Sequence, residues 1–224
     1  TFALVAMIYI PTATLTRTYN SDVQAAVVPA LAIARTGLPF LDPVSIPENP
    51  FLIDTGEAVV SNRPFGISLL AVPAYVLAGA PAEVWPSAVS AALATAAAVA
   101  MLHVALRRVV DARSAIAATA VFAFGTPTWT VSANGLWGHT VTQLAIAGAL
   151  LAASRARWWW VGVALGAGIW GRPHLAVIAL VVGLGIAWSQ RSVRTLLAVG
   201  VPTTVGLGSF VLVNRWLYER WTLS

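Results

Sequence analysis

The chain has 224 residues, of which 58% are hydrophobic and only 9% charged, with a formal charge of +5 and a mean hydropathy of +0.80. Soluble domains are far less apolar and more charged, so the composition excludes a water-soluble globule and predicts an all-α polytopic membrane protein. All thirteen basic residues are Arg and no Cys is present, which excludes disulfides and Cys-ligated metal, while the dispersal of the Arg residues argues against nucleic acid as a partner.

Apolar runs occur at 2–13, 65–80, 87–106, 115–131, 136–153, 158–170, 175–188 and 196–213. The first has no basic segment before it and no clear small-residue cleavage site after it, so it reads as the tail of a first transmembrane helix rather than a signal peptide. The chain reads as a fragment of a longer protein, 1–224 forming a single transmembrane module. Residues 14–85 form a long first loop: an apolar-periodic stretch at 23–34, a Pro- and acid-rich stretch at 38–64 without helical period, and the run 65–80. The six remaining runs, within 86–217, complete the bundle.

Arg residues set the orientation, because short cytoplasmic connections are enriched in them. Arg107, Arg108 and Arg113, then Arg155 and Arg157, then Arg191 and Arg194 are each separated by two apolar runs, so all lie on one, cytoplasmic, face. The long loop then lies outside. The run 65–80 holds Pro73 and is flanked by Pro64 and Pro81; it is shorter than the ~20 residues of a crossing and reads as a helix along the outer surface. This gives about seven crossings in the plasma membrane; letting 65–80 cross gives eight and an inward loop. Only thirty-three residues separate Arg157 from Arg191, which must hold two helices and a turn. The turn at Gly171-Arg172-Pro173-His174 therefore sits below the outer surface, where irregular backbone requires a cavity or surrounding protein. Arg172 and His174 are placed in the wall of an outward-facing cavity.

Several side chains are candidates for chemistry. Asp22, at the head of the 23–34 stretch, suits a general base at the outer mouth and equally suits a helix N-cap. Asp42, Glu48, Asp54 and Glu57 offer hard oxygen ligands for a divalent cation, magnesium or manganese, or form a solvated acidic loop. Arg63, before Pro64, can grip a phosphate as a bidentate donor or anchor a turn at the interface. His139 can donate to phosphate or ligate a metal, or simply pack. Arg172 is the strongest candidate, because an Arg at membrane depth needs a cavity or a partner. Its plainer reading is an ion pair with Asp22 or a loop acid.

The order of these features resembles the polytopic glycosyltransferases of the C superfold, which use lipid-phosphate-linked sugars and include protein mannosyltransferases, aminoarabinose transferases and actinobacterial arabinosyl- and mannosyltransferases. Asn20-Ser21-Asp22-Val23 looks like their acidic position after the first helix, and 25–37 looks like their first surface helix. Arg63-Pro64-Phe65-Gly66 is similar to the element opening the second, and Leu136-Trp137-Gly138-His139 and Gly171-Arg172-Pro173 to elements of bacterial members. Many relatives carry an acid in the second outer loop, whereas 127–138 has none.

The resemblance implies inverting transfer of a sugar, arabinose or mannose, from a polyprenyl-phosphate donor to a cell-envelope acceptor (glycan, lipid or protein) outside the membrane. Asp22 would be the base, Arg172 with His139, Arg63 and His174 would bind the donor phosphate, and an apolar groove between bundle and surface helix would hold the prenyl tail. Two other classes compete. A transporter or flippase often shows repeated halves, and no internal repeat is found; a non-catalytic scaffold subunit would need neither Asp22 nor Arg172.

Overall fold

The computed structural model describes residues 1–15, 21–41, 49–56 and 58–222. In chain order these form α1 (Phe2–Thr12), α2 (Ser21–Thr36), a hairpin of β1 (Leu52–Asp54) and β2 (Val59–Ser61), α3 (Phe65–Leu77) and α4 (Trp85–Leu106). There follow α5 (Ala112–Phe124), a π-helical turn (Thr128–Ser132), α6 (Gly138–Ala153), α7 (Trp158–Ile169), α8 (Leu175–Gln190) and α9 (Val193–Tyr218). Local chemistry sets the ends of these helices. The Asp111 carboxylate caps α5 by accepting from the backbone amides of Arg113 and Ser114 at 2.9 and 3.1 Å, and Ser192 Oγ caps α9 by accepting from Thr195 N at 3.2 Å. Gly125-Thr126-Pro127 parts α5 from the π turn, since proline has no amide for the helix ladder. Pro173 likewise stands beyond the end of α7.

Contacts between elements sort the connections to two ends of the bundle. Thr14, after α1, donates to Asn134, between the π turn and α6, at 2.9 Å. The amide of Gly66, in the first turn of α3, donates to the Trp170 carbonyl after α7 at 3.0 Å. Tyr218, closing α9, donates to the Ser61 carbonyl at 2.6 Å. One end therefore gathers the loop, the α5–α6 and α7–α8 connections and the close of α9. The α4–α5, α6–α7 and α8–α9 turns occupy the other end and carry seven Arg residues, as the charge pattern predicts. Both ends of α3 lie at the loop end: its start touches Trp170, and its close leads into α4, whose early Ala91 packs with Ala71, Tyr75 and Leu136. α2 and α3 pack against each other there, Ser68 Oγ donating to the Ala26 carbonyl at 2.7 Å.

Two expectations are corrected. Among the described residues, two helices, α4 and α9, are long and apolar enough to cross a membrane; the other apolar helices have 10–17 residues, short of the ~20 of a comfortable crossing. Seven full-length crossings are therefore not supported: the break at 125–127 divides the run 115–131, and the turn at 171–174 keeps α7 and α8 short. The 38–64 stretch also holds regular structure: β1 and β2 pair antiparallel, Ile53 opposite Val60, about a turn whose Gly56 has φ +89, open to glycine without strain. Strands of three residues are too short to print an alternating pattern.

Small residues let the helices approach closely, the usual device where lipid-like surroundings give no hydrophobic drive. A Cβ on Gly166 of α7 would lie 2.8 Å from the Pro202 carbonyl of α9, and one on Gly206 would lie 2.6 Å from Gly166 Cα, whereas Gly208 has open space. Replacing Gly166 by Val is expected to cost about 1–3 kcal/mol through overpacking and to lower the melting temperature in detergent. Gly208→Ala should be neutral or stabilising by up to about 1 kcal/mol; equal effects of the two changes would contradict this α7–α9 contact.

Candidate functional site

The loop end contains two polar pairs. Asp22 lies in the first turn of α2, inside the helix rather than at its cap, and Arg63 lies before Pro64 and α3. Arg63 Nε is 2.7 Å from Asp22 Oδ1. Because no hydrogen bond satisfies that Nε, the N–H is not aimed at the oxygen and the contact is Coulombic. The Arg63 guanidinium carbon also lies 3.7 Å from the centre of the Phe51 ring, a cation–π distance. Ser61 Oγ accepts from Arg63 N at 3.1 Å, and Asn49 ties the loop to the start of α2 by donating to the Ser21 carbonyl at 2.8 Å. The ion pair that the sequence offered to Arg172 is thus made by Arg63, which neutralises Asp22 here instead of standing free for a phosphate.

The second pair joins α6 to the α7–α8 turn. Arg172 Nη2 is 2.8 Å from His139 Nε2. Guanidinium nitrogens only donate, so Nε2 must accept, which makes the ring neutral and puts its proton on Nδ1. The first turn of α6 is held by the Ser132 carbonyl, which accepts from Thr95 Oγ1 at 2.9 Å and Thr140 Oγ1 at 2.8 Å; Ser132 closes the π turn. Arg172 is half-buried and has no carboxylate partner among the described residues. His174, exposed at the N-cap of α8, makes no side-chain capping bond.

Close backbone contacts link the two pairs. Gly66 meets Trp170 two residues before Arg172, and a Cβ on Gly138 would lie 2.9 Å from the Gly171 carbonyl and 3.2 Å from Arg172 Nε. Beside this junction opens an apolar groove of about 580 Å³, lined by Gly66, Leu69, Leu70, Val141, Leu144 and Trp170 among others. Its lining comes from α3, α6, α7 and Met101 of α4, so it starts between bundle and loop helix and continues down the bundle between α6 and α7.

The acidic loop offers less. Asp42, Glu48 and Glu57 lie outside the described residues, and Asp54 Oδ1 accepts from Gly56 N at 2.8 Å as a turn cap. Among the described residues no group of three or more His, Asp or Glu is placed to hold a metal ion. Sequence reasoning missed Phe51 and Asn49, whose parts come from a short hairpin and a loop with no motif to mark them.

Comparison with protein-family profiles, curated proteins and solved structures gave no match for this chain. The arrangement itself supplies one carboxylate, one cation without an acid partner, a neutral imidazole and an apolar groove.

The tautomer is open to measurement. In protein labelled with nitrogen-15 on histidine, His139 should show an unprotonated Nε2 and a protonated Nδ1. Arg172→Met should remove that preference while leaving His103 unchanged, and an Nε2–H tautomer in the unaltered protein would contradict the pairing.

Proposed function

We propose that this chain is the membrane module of an inverting glycosyltransferase of the C-superfold type, moving a sugar from a polyprenyl-phosphate donor to a cell-envelope acceptor outside the plasma membrane. The observation that carries the reading is the meeting, at one end of the bundle, of Asp22, the Arg172–His139 pair and an apolar groove. Val141 and Trp170, which line that groove, are each two residues from a member of the pair.

Residence in a bilayer is supported by α9, of whose apolar window only 17% is buried inside the protein; the core helix of a soluble protein would be mostly buried. Leu180, Val181, Val205 and Leu212 are each more than 60% exposed, an apolar surface that water does not tolerate at such extent. The loop at one end, and seven Arg residues with the single acid Asp111 at the other, agree with an outward-facing loop. In this topology α3 lies along the outer surface, and the short helices complete seven crossings around a bundle hollowed at its outer end.

The chemistry follows from the pairs. The Asp22 carboxylate takes the acceptor hydroxyl proton as that oxygen attacks the anomeric carbon from the face opposite the phosphate. The carbon–oxygen bond to phosphate breaks, and polyprenyl phosphate leaves with the bonding electrons. Arg172 and the Nδ1–H of His139 stabilise the charge that grows on the departing phosphate. Arg63 orients Asp22, and His174 lies near enough in sequence to Arg172 to extend the phosphate site. The groove, at about 580 Å³, has the size of a ligand pocket, about 300–1,000 Å³, and takes the proximal part of the prenyl tail. A divalent cation held by the acidic loop belongs to the same proposal, and no step above depends on it.

In the full-length protein, Asp22→Asn should lower transfer from a polyprenyl-phosphate sugar by about 10²–10⁴-fold, the usual contribution of a general base, with donor binding retained. Arg172→Gln should raise the donor KM by about ten- to a hundredfold, the loss of one charge-assisted hydrogen bond. Unchanged transfer in a folded Asp22→Asn protein would leave the chain a scaffold or transporter.

Topology is tested separately, since the chain lacks Cys. A Cys replacing Leu38, 51% exposed in the loop, should react with a membrane-impermeant thiol reagent on intact spheroplasts. A Cys replacing Arg155, in the α6–α7 turn, should react only after permeabilisation. The reverse pattern would put the candidate site on the wrong side for this reaction.

A further inference from the structure

α8 and α9 meet at a tight turn and pack through Ala179 on Val199 and Leu175 on Phe210, leaving a groove along one side. Between them lies a cleft of two connected parts, of about 330 and 620 Å³, sharing Leu184 and Leu196 as walls. Gly200 leaves the inner part open, since a Cβ there would meet nothing within 4 Å, whereas a Cβ on Gly183 would lie 3.3 Å from Val199 Cγ1. The outer part reaches the end of the bundle that carries the Arg residues and is bordered there by Trp188, 87% exposed, and by Arg191.

Arg191 is unusual in its backbone as well as its place. It ends α8 with φ +47, a left-handed position that glycine takes without strain. An Arg is held there at a conformational cost, and its exposed side chain stands at the mouth of the cleft. Arg194 follows in the first turn of α9. Among the described residues neither has a carboxylate partner, and Asp111, the acid at that end, is engaged as the α5 cap. An apolar slot leading to Arg191, a cation without a carboxylate partner among the described residues, and flanked by the exposed Trp188 indole, is complementary to one kind of molecule: apolar at length and anionic at its head.

We infer that the α8–α9 cleft is a binding site for an anionic bilayer phospholipid, with its phosphate-bearing headgroup at Arg191 and one acyl chain along Leu184, Leu196 and Gly200. The inference rests on the membrane reading above, but the site is separate from the sugar-transfer end and involves none of its residues. A lipid there fills the gap between α8 and α9, and α9 is the helix whose far end holds the loop through Tyr218 and Ser61.

The test uses full-length protein reconstituted in phosphatidylcholine vesicles containing a rising fraction of brominated phosphatidylglycerol, or of brominated phosphatidylcholine. Quenching of Trp188 is read as the difference between the unaltered protein and Trp188→Phe. The anionic lipid should be preferred, and Arg191→Gln should reduce the preference about fivefold, the effect of one Arg near an anionic headgroup. Arg155→Gln, on the same face but away from the cleft, should leave it unchanged. Gly200→Leu, which projects into the cleft without a clash, should weaken quenching by both lipids. Equal preference for the two lipids, an equal loss from Arg155→Gln, or a cleft already closed to lipid by another helix, seen as no Trp188-dependent quenching while other tryptophans are quenched, overturns the site alone. Absence of quenching at any tryptophan overturns the membrane reading, and the site with it.

Discussion

The approach of three glycines at the loop end is the constraint on which the rest of this arrangement depends. Gly66 gives its amide to the Trp170 carbonyl at 3.0 Å, and a Cβ in its place would lie 2.6 Å from that same group. A Cβ on Gly171 would lie 2.5 Å from Val141 Cβ, and one on Gly138 would meet Gly171 and Arg172. Backbone thus rests directly on backbone where α3, α6 and the α7–α8 turn converge. Because Arg63 stands three residues before Gly66 and Arg172 two after Trp170, one steric junction sets the position of both cations. At Gly66 the neighbour is the Trp170 backbone, which cannot rotate away, so an added methyl group there would displace α3 and with it Arg63.

The two pairs differ in what they cost and what they leave available. The side chains of Arg63 and Asp22 are 25% and 37% exposed, so water screens them, and an ion pair of this kind contributes on the order of 0–1 kcal/mol. It orients two groups more than it stabilises the fold. Arg172 is half-buried and its hydrogen-bond partner is a neutral ring, so its charge is hydrogen-bonded but not balanced. A partly desolvated cation without a counter-ion is unfavourable in the empty state. An anion beside it recovers that cost on binding, which is the electrostatic argument for a phosphate at Arg172 rather than at Arg63.

Much of this was legible in the residues, for identifiable reasons. Apolar runs flanked by Arg located the helices from α4 to α9 to within a few residues, because hydropathy over long windows is a strong signal. An apolar period opening after an acid located α2, whereas Asp22, which in the sequence suited an N-cap, lies in its first turn. Arg172 and His139 were each visible as costly polar groups in apolar surroundings, but their pairing was not, because it joins residues thirty-three apart through glycine contacts that leave no period. The pairing of Arg63 with Asp22 was hidden for the same reason: it depends on how the loop folds back, and the hairpin that folds it has strands too short to announce themselves. The run 115–131 also overstates helix length, since Pro127 lies beyond the end of α5 without interrupting hydrophobicity.

The shortness of α7 and the existence of the loop assembly are best understood as one feature. A helix of twelve residues rises about 18 Å, against a hydrocarbon core about 30 Å thick. In the bilayer reading, α7 starts at the cytoplasmic interface with Trp158 and its following turn ends well below the outer surface. Exposed to lipid, the charged turn of Gly171, Arg172 and Pro173 would be prohibitive. What makes it tolerable is the cover laid over it: α3 on Trp170, α2 on α3, and the hairpin clamped to the end of α9 through Tyr218. The loop is therefore no appendage to the bundle. In that reading it covers the turn at which the short helix stops, through Gly66 on Trp170, and both polar pairs lie beside that contact.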